Sequence, residues 1–459
     1  MSACKAPARA PIAPARTELR GYQRRAIEAA RKAYREGARA LLLVSPTGSG
    51  KTTIAAEIMR KPALAGGGLF LAHRDELITQ ARARMLAEGF DRVGIVAAGY
   101  EPDPGAAVQV AMTPTLLARD PATWPRARVV VLDEAHHAAA EGASAILRHY
   151  RETSGPDAVL VGLTATPERT DGRALGIDDG GVFDSLIQVA QVRELQALGH
   201  LVPVVTLRPP SPQGELAARP VDAYLEHCPG ERAFVFCSHG AHARRTAAEF
   251  LEQGVPAAVI DERTKPDARR AILEAFRAGE ILALCNVYTM TEGVDVPAAS
   301  VVILARGCGS AAMFMQMGGR AMRPSLATGK TRMLLIDLRG AVYQHGLLEA
   351  DRIYSLSGKA IALAGDGEQP LALATCKACG ACFEAGPREC PRCKATAPPL
   401  KMPKVKAALL GTIGRIATKD EKRAAFSGFI ATAKERGYNP HWASHQYRNM
   451  FGVWPVGVR

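Results

Sequence analysis

No stretch of this 459-residue chain reaches the roughly 18 consecutive apolar residues that a membrane-spanning helix needs, which excludes a helical span. Met1 to Arg20 is basic and rich in Ala and Pro, but it lacks the apolar centre of a secretory signal. Residues 1–16 are expected to be a disordered basic tail, with a transit peptide as the alternative. There is no cysteine framework spread along the chain: five of the ten cysteines crowd into positions 376 to 393. Cys4, Cys228, Cys237, Cys285 and Cys308 are scattered, and Cys237 and Cys285 sit in apolar runs that read as buried strands. That distribution excludes a small disulfide-stapled fold and points to a reducing compartment and a metal cluster. Internal sequence repeats are lacking, as is a nuclease motif.

The 47% apolar and 22% charged fractions are ordinary for a globular protein, and the length suits about three domains. Short apolar runs, Leu69 to His73, Val108 to Met112, Val129 to Asp133 and Val159 to Thr164, alternate with helical stretches. Runs this short, without polar alternation, are produced by parallel strands covered on both faces. A first α/β domain is therefore expected over 17–200. The rhythm repeats over 201–357, with Ala233 to Cys237, Ala257 to Ile260, Ile281 to Cys285, Val301 to Ala305 and Met333 to Ile336 as strands. A connector follows over 358–375, the cysteine cluster over 376–396, a basic linker over 397–418 and a helical segment over 419–459. The net charge of +13 is uneven: residues 376 to 459 carry 15 Lys and Arg against 5 Asp and Glu. A basic tail of this kind favours polyanions, nucleic acid first.

The chain is organised around Ser45, Pro46, Thr47, Gly48, Ser49, Gly50, Lys51, Thr52 and Thr53, which follow the apolar run Ala40 to Val44 and lead into a helix. A strand, a Gly-rich turn and a helix start aim backbone N–H groups and the positive end of the helix dipole at one point. That point suits a phosphate. Gly48 and Gly50 let the backbone approach, Lys51 can reach the β- and γ-phosphates, and the Thr52 hydroxyl can ligate magnesium. Asp133 and Glu134 end an apolar strand, where one carboxylate can hold magnesium through water and the next can polarise an attacking water. Asp133 is the expected metal residue and Glu134 the expected base. Of His136 and His137, one is expected to link this motif to its neighbour.

Cys376, Cys379, Cys390 and Cys393 form two Cys-x-x-Cys hooks, and four thiolates satisfy tetrahedral zinc with no position left for water. Gly380 and Pro391 favour the tight turns such hooks require. Cys382 offers a competing pair with Cys379, and a redox pair is the alternative to a structural metal. In the tail, Tyr447, Phe451 and Trp454 fall at i, i+4 and i+7, which suits one helix's buried face better than a base-stacking platform.

Taken in order, these motifs resemble those of the superfamily 2 helicases of the DEAD/DEAH type. The resemblance extends to Leu19-Arg20-Gly21-Tyr22-Gln23, similar to an adenine-reading motif, and to Ala72 to Leu77 and Met112 to Leu116, similar to strand-tracking motifs. Leu163-Thr164-Ala165-Thr166-Pro167 resembles the motif that links the ATP site to the nucleic-acid groove. Phe236 to His239 and Thr289 to Pro297 resemble second-domain motifs, with Gly293 and Asp295 implied to face the nucleotide. Gln316 to Arg323 matches Gln-x-x-Gly-Arg-x-x-Arg, which implies that Arg320 and Arg323 reach the γ-phosphate when the cleft closes. The stretches Thr166 to Gly172, Asp337 to Leu347 and Ser355 to Gly358 look like those of RadD-like helicases and phage homologues, which also carry a zinc segment.

The resemblance implies two tandem RecA-like parallel-sheet domains, then a zinc ribbon and a helical C-terminal segment. It implies ATP, Mg2+ and structural Zn2+ as cofactors, with Tyr22 and Gln23 on adenine. The expected activity is ATP-driven movement on single-stranded or branched DNA in repair or recombination. Competing readings are an RNA helicase, a remodeller that does not unwind, a restriction-system motor subunit, and a nucleic-acid-binding adaptor with an inactive ATPase. DNA is favoured over RNA as partner, single-strand-binding protein is implied, and the location is expected to be a bacterial cytoplasm, with a phage gene as the alternative source.

Overall fold

Fully buried five-residue runs such as Ala40–Val44 and Gly68–Ala72 have no polar face to turn toward water, so each strand must lie between two apolar layers. The computed structural model describes residues 18–137, 141–168, 173–209, 216–287, 295–357, 361–363, 373–384, 389–396, 419–435, 441, 443–444, 446–447 and 455. The basic tail, Thr289 to Gly293, the linker over 397–418, Phe451 and Trp454 lie outside the described residues. The chain divides into two compact units at Pro399.

The larger unit begins with α1 (Gly21–Arg35), β1 (Ala40–Val44), α2 (Lys51–Gly66), β2 (Gly68–Ala72), α3 (Asp75–Ala87), β3 (Val93–Val96) and β4 (Val108–Met112). It continues with α4 (Thr113–Leu117), β5 (Val129–Leu132), α5 (Glu141–Thr153), β6 (Val159–Thr164), β7 (Ser185–Gln188) and α6 (Val192–Ala197). These strands form one parallel sheet in the order β3-β4-β2-β5-β6-β1-β7. The second half contains β8 (Val204–Leu207), α7 (Pro220–His227), β9 (Ala233–Phe236), α8 (Gly240–Glu252), β10 (Ala257–Ile260), α9 (Pro266–Ala278), β11 (Ala283–Asn286) and β12 (Val301–Leu304). Then come α10 (Ala311–Gly319), β13 (Met333–Asp337), α11 (Ala341–His345), β14 (Arg352–Ile353), β15 (Ala362–Leu363), β16 (Leu373–Thr375) and β17 (Ala381–Glu384). Its sheet runs β10-β11-β9-β12-β13-β8-β17-β16, parallel up to β8. Two α/β lobes in tandem, as the sequence predicts, are therefore present.

Register fixes what emerges at the sheet's carboxyl edge. Pairing of Val44 with Thr164 sets the phosphate loop beside the Thr164–Thr166 turn, and the Asp133 N–H donates to Leu71 O at 3.0 Å. One apolar cluster runs without a break from Leu41 and Leu43 in the first lobe through Leu201 and Met322 to Phe314 and Leu348 in the second. After the second lobe the chain returns: Leu356 O accepts from Leu175 N and Gly176 N of the first lobe, both at 2.9 Å.

The cysteine segment is grafted onto the second sheet, since β17 pairs antiparallel with β8 and β16 with β17. In the smaller unit, α12 (Lys419–Glu435) presents Phe426 edge-on to Tyr447, their ring centroids 5.4 Å apart, and Tyr447 is 1% exposed. For Tyr447 the buried-core expectation matches this placement. Among the described residues no helix is long and apolar enough to cross a membrane.

Candidate nucleotide cleft and zinc site

The phosphate loop leaves β1 at Val44 and ends at Gly50, the left-handed N-cap of α2. Gly48 and Gly50 take φ of +89° and +79°, which a side chain would strain. Ser49 N donates to Pro46 O at 3.2 Å, and Lys51 Nζ to Ser45 O at 3.3 Å. From behind, the Tyr22 hydroxyl donates to Ser49 O at 2.6 Å and Gln23 Nε2 to the same oxygen at 3.1 Å. Gln23 Oε1 also accepts from Arg20 N at 2.9 Å, so this amide fixes both the start of α1 and the loop. Tyr22 is fully buried and supports the loop, while Gln23 borders the cleft.

A cleft of about 420 Å³ opens here, lined by Gln23, Gly48, Thr52, Asp133, Asp295 and Arg323 among others. Thr52 and Asp133 share it, a hard-oxygen pair that fits a magnesium ion at the strand edge. Glu134 takes φ +49°, and its Oε2 is buried without a hydrogen-bond partner. Left-handed backbone at a non-Gly residue costs about 1–2 kcal/mol, a strain of the kind found at functional sites. Burial pushes the Asp133 carboxyl up to about 6, with the Glu134 charge adding to the rise and Lys51 opposing it. Burial likewise lowers the Lys51 ammonium, against the pull of Glu134 and Asp133. His136 links to the neighbouring motif: its Nδ1 lies 3.2 Å from Thr164 Oγ1 and 3.6 Å from Glu134 Oε2. Thr164 Oγ1 in turn donates to Thr166 O at 2.7 Å.

The second lobe reaches this cleft through the end of α10. A Cβ built at Gly319 would lie 3.2 Å from Thr47, and one at Gly48 would lie 3.0 Å from Arg323 Cγ. The lobes are thus in contact at the phosphate loop. Arg323 is ion-paired with Asp295, and Arg320 is 8% exposed. Glu168 of the first lobe accepts from Ala312 N at 2.9 Å, tying the start of α10 across the cleft. Gly293 lies outside the described residues.

Sequence reasoning missed Arg84, which lines the cleft and donates to Thr53 Oγ1 at 2.6 Å. It sits among other charged positions of α3, and no local pattern distinguishes it from a solvated face.

In the cysteine segment the ligand atoms of Cys376, Cys379, Cys390 and Cys393 all lie within 4.8 Å of one another. The Sγ of Cys376 and Cys393 are 3.6 Å apart, those of Cys379 and Cys390 3.7 Å. A tetrahedron with zinc–sulfur bonds of about 2.3 Å has edges near 3.8 Å, so the four sulfurs fit zinc. Each hook closes alike: Gly380 N donates to Cys376 O at 2.9 Å and Lys394 N to Cys390 O at 3.0 Å. Gly380 and Lys394 both have positive φ, +71° and +60°. Cys382 is excluded from the cluster by strand alternation: Ala381 and Phe383 face the hooks, while Cys382 faces the core shared by the lobes.

Two RecA-like lobes closing on a phosphate loop, paired carboxylates and two arginines define the core of a nucleotide-driven motor. Residues 16–169 match the family described as Type III restriction enzyme, res subunit, and residues 218–325 match the Helicase conserved C-terminal domain. Over these two segments the chain is similar to the helicases. It is similar to a 51.5 kDa protein of a Lactococcus phage, 29% identical over 306 residues that cover 61% of this chain and 62% of that one. It is also similar to the DNA 3'-5' translocase XPB2 of Sulfurisphaera tokodaii, 25% identical over 376 residues, 68% of this chain and 80% of that one. Among solved structures, the helicase MrfA bound to DNA shares the fold with a TM-score of 0.55 at 17% identity, over 71% of this chain and 50% of that one. The aligned stretch takes in 62% of the phage relative and 52 and 57% of two fungal relatives, so the chain spans little more than half the length of these curated proteins.

Proposed function

We propose that this chain is an ATP hydrolase that moves on DNA, single-stranded or branched. The observation that carries the reading is the meeting of Thr47 and Gly48 with Gly319 and Arg323, which sets one arginine of the second lobe beside the first lobe's phosphate loop. Lys51 and the loop amides hold the β- and γ-phosphates, and Thr52 and Asp133 hold magnesium. Magnesium, when bound, neutralises charge on the β- and γ-oxygens. Glu134 orients the attacking water, and Gln23 reads adenine with the donor and acceptor capacity left on its amide. Arg320 and Arg323 stabilise charge on the transferred phosphoryl group, an effect worth about 10³ to 10⁵ in rate. Because they come from the other lobe, hydrolysis is tied to closure, and product release to opening.

DNA is favoured by the name of one relative, a DNA translocase. A role in repair or recombination, single-strand-binding protein as partner and a bacterial or phage-encoded cytoplasmic setting follow from the RadD-like motifs. Zinc is structural, since four thiolates leave no open position. The test is steady-state ATPase activity without nucleic acid and with single-stranded DNA, forked DNA or RNA, using Lys51→Ala as the blank. Stimulation by DNA and not by RNA, lost in the blank, is expected. Activity no higher than the blank on every substrate would promote the adaptor reading instead.

A further inference from the structure

The last carbonyls of a helix have no intrahelical donor and must be met from elsewhere. Just past the end of α10, between Arg320 and Arg323, the carbonyl of the buried Ala321 needs a donor as well. Lys330 Nζ donates to it at 3.0 Å, to Ala299 O at 2.8 Å and to Pro297 O at 2.6 Å. An ammonium carries three protons, and here three carbonyls take them. Two of the three belong to the 295–300 segment ahead of β12, where the Asp295 carboxylate holds Arg323. Lys330 is itself anchored, its N–H donating to Ser325 O at 3.2 Å ahead of β13.

The side chain does not border the nucleotide cleft. It lines a separate hollow of about 380 Å³ with Glu231, Arg232 and Arg332. A cation in that place also suits the negative end of α10. The Asp295 carboxylate attracts the ammonium and the Arg323 guanidinium repels it, and the three carbonyls hold it in place.

We propose that Lys330 is a positioning residue for Arg323: its ammonium fastens the 320–323 turn to the 295–300 segment and so sets Arg323 against Gly48. This rests on the reading of the cleft as an ATPase site. Lys330→Met removes all three donors. Lys330→Arg keeps the charge and donors on a planar fork that reaches the carbonyls less evenly.

The experiment compares wild type, Lys330→Met, Lys330→Arg, Arg323→Ala and the Lys330→Met/Arg323→Ala double variant. It reads kcat, affinity for a non-hydrolysable ATP analogue, melting temperature, and amide hydrogen exchange at 318–323 without nucleotide. The expected result for Lys330→Met is a kcat lower by about 10- to 100-fold, the cost of misplacing a catalytic group by about an ångström, with analogue affinity within about twofold. Lys330→Arg should recover most of it. Adding Lys330→Met to Arg323→Ala should lower kcat no further. An equal fold-loss in both backgrounds would overturn the proposal, as would a lowered melting temperature with kcat unchanged. Should wild type hydrolyse no more ATP than Lys51→Ala, the cleft reading falls, and hydrogen exchange still decides the fastening: faster exchange at 320–323 in Lys330→Met supports it, unchanged exchange refutes it.

Discussion

Replacing Gly319 by alanine separates the stability of the second lobe from its fit to the first. Gly319 is the last residue of α10, and alanine is favoured over glycine in a helix interior by about 1 kcal/mol, less at an end. The lobe by itself should therefore gain a few tenths of a kcal/mol. In the closed arrangement the new Cβ stands 3.2 Å from both Cβ and Oγ1 of Thr47. Overpacking of this kind costs about 1–3 kcal/mol, and because a loop residue can give by a few tenths of an ångström we take the lower half of that range. At about 1.4 kcal/mol per factor of ten, closure is disfavoured roughly tenfold. The assay is DNA-stimulated ATPase activity alongside thermal melting. We expect melting unchanged or slightly raised and kcat/KM lower by about tenfold. Gly318→Ala is the control, since its Cβ would lie 2.3 Å from Leu348 Cδ1, inside the second lobe. It should lower the melting temperature, with little change in activity per folded molecule. If Gly319→Ala leaves turnover within twofold of wild type at equal stability, contact between Gly319 and the phosphate loop is no part of the working state.

Other perturbations follow from the same geometry. Glu134→Gly relieves the left-handed strain at this position and should raise stability by about 1 kcal/mol, whereas Glu134→Gln keeps it. Both should lower turnover by about 10²- to 10⁴-fold, and denaturant melts with single-turnover assays read the two effects. Lys394→Gly should stabilise the second cysteine hook by about 1 kcal/mol, seen as slower zinc release to a chelator. Arg352, 1% exposed, donates to His345 O and Leu347 O, both at 3.0 Å. Arg352→Met leaves those carbonyls without this donor and should cost about 2–4 kcal/mol in urea unfolding of the larger unit.

Much of this protein was legible from local pattern. Unbroken apolar runs such as Val129–Leu132 are what parallel strands buried on both faces produce, and a Gly-rich turn between such a strand and a helix, as from Thr47 to Gly50, is what a phosphate-holding loop requires. The cysteine hooks announce themselves by spacing, because two thiols three positions apart meet across one turn. These signals act over a few residues, where backbone geometry and side-chain period leave little choice. Tertiary structure decided the rest, because those contacts are made between segments far apart in the chain. Asp295 is read from its motif as facing the nucleotide; it lines the cleft, and only the folded chain pairs its carboxylate with Arg323. Arg84 resembles any solvated helix residue until α3 packs beside the phosphate loop and brings it to Thr53. Cys382 carries the same thiol as its neighbours, and only the pairing of β17 with β8 turns it away from the metal hooks. Lys330 shows nothing in its sequence surroundings. Its place is set when the end of α10, the 295–300 segment and the approach to β13 fold together, leaving three carbonyls that one ammonium can satisfy.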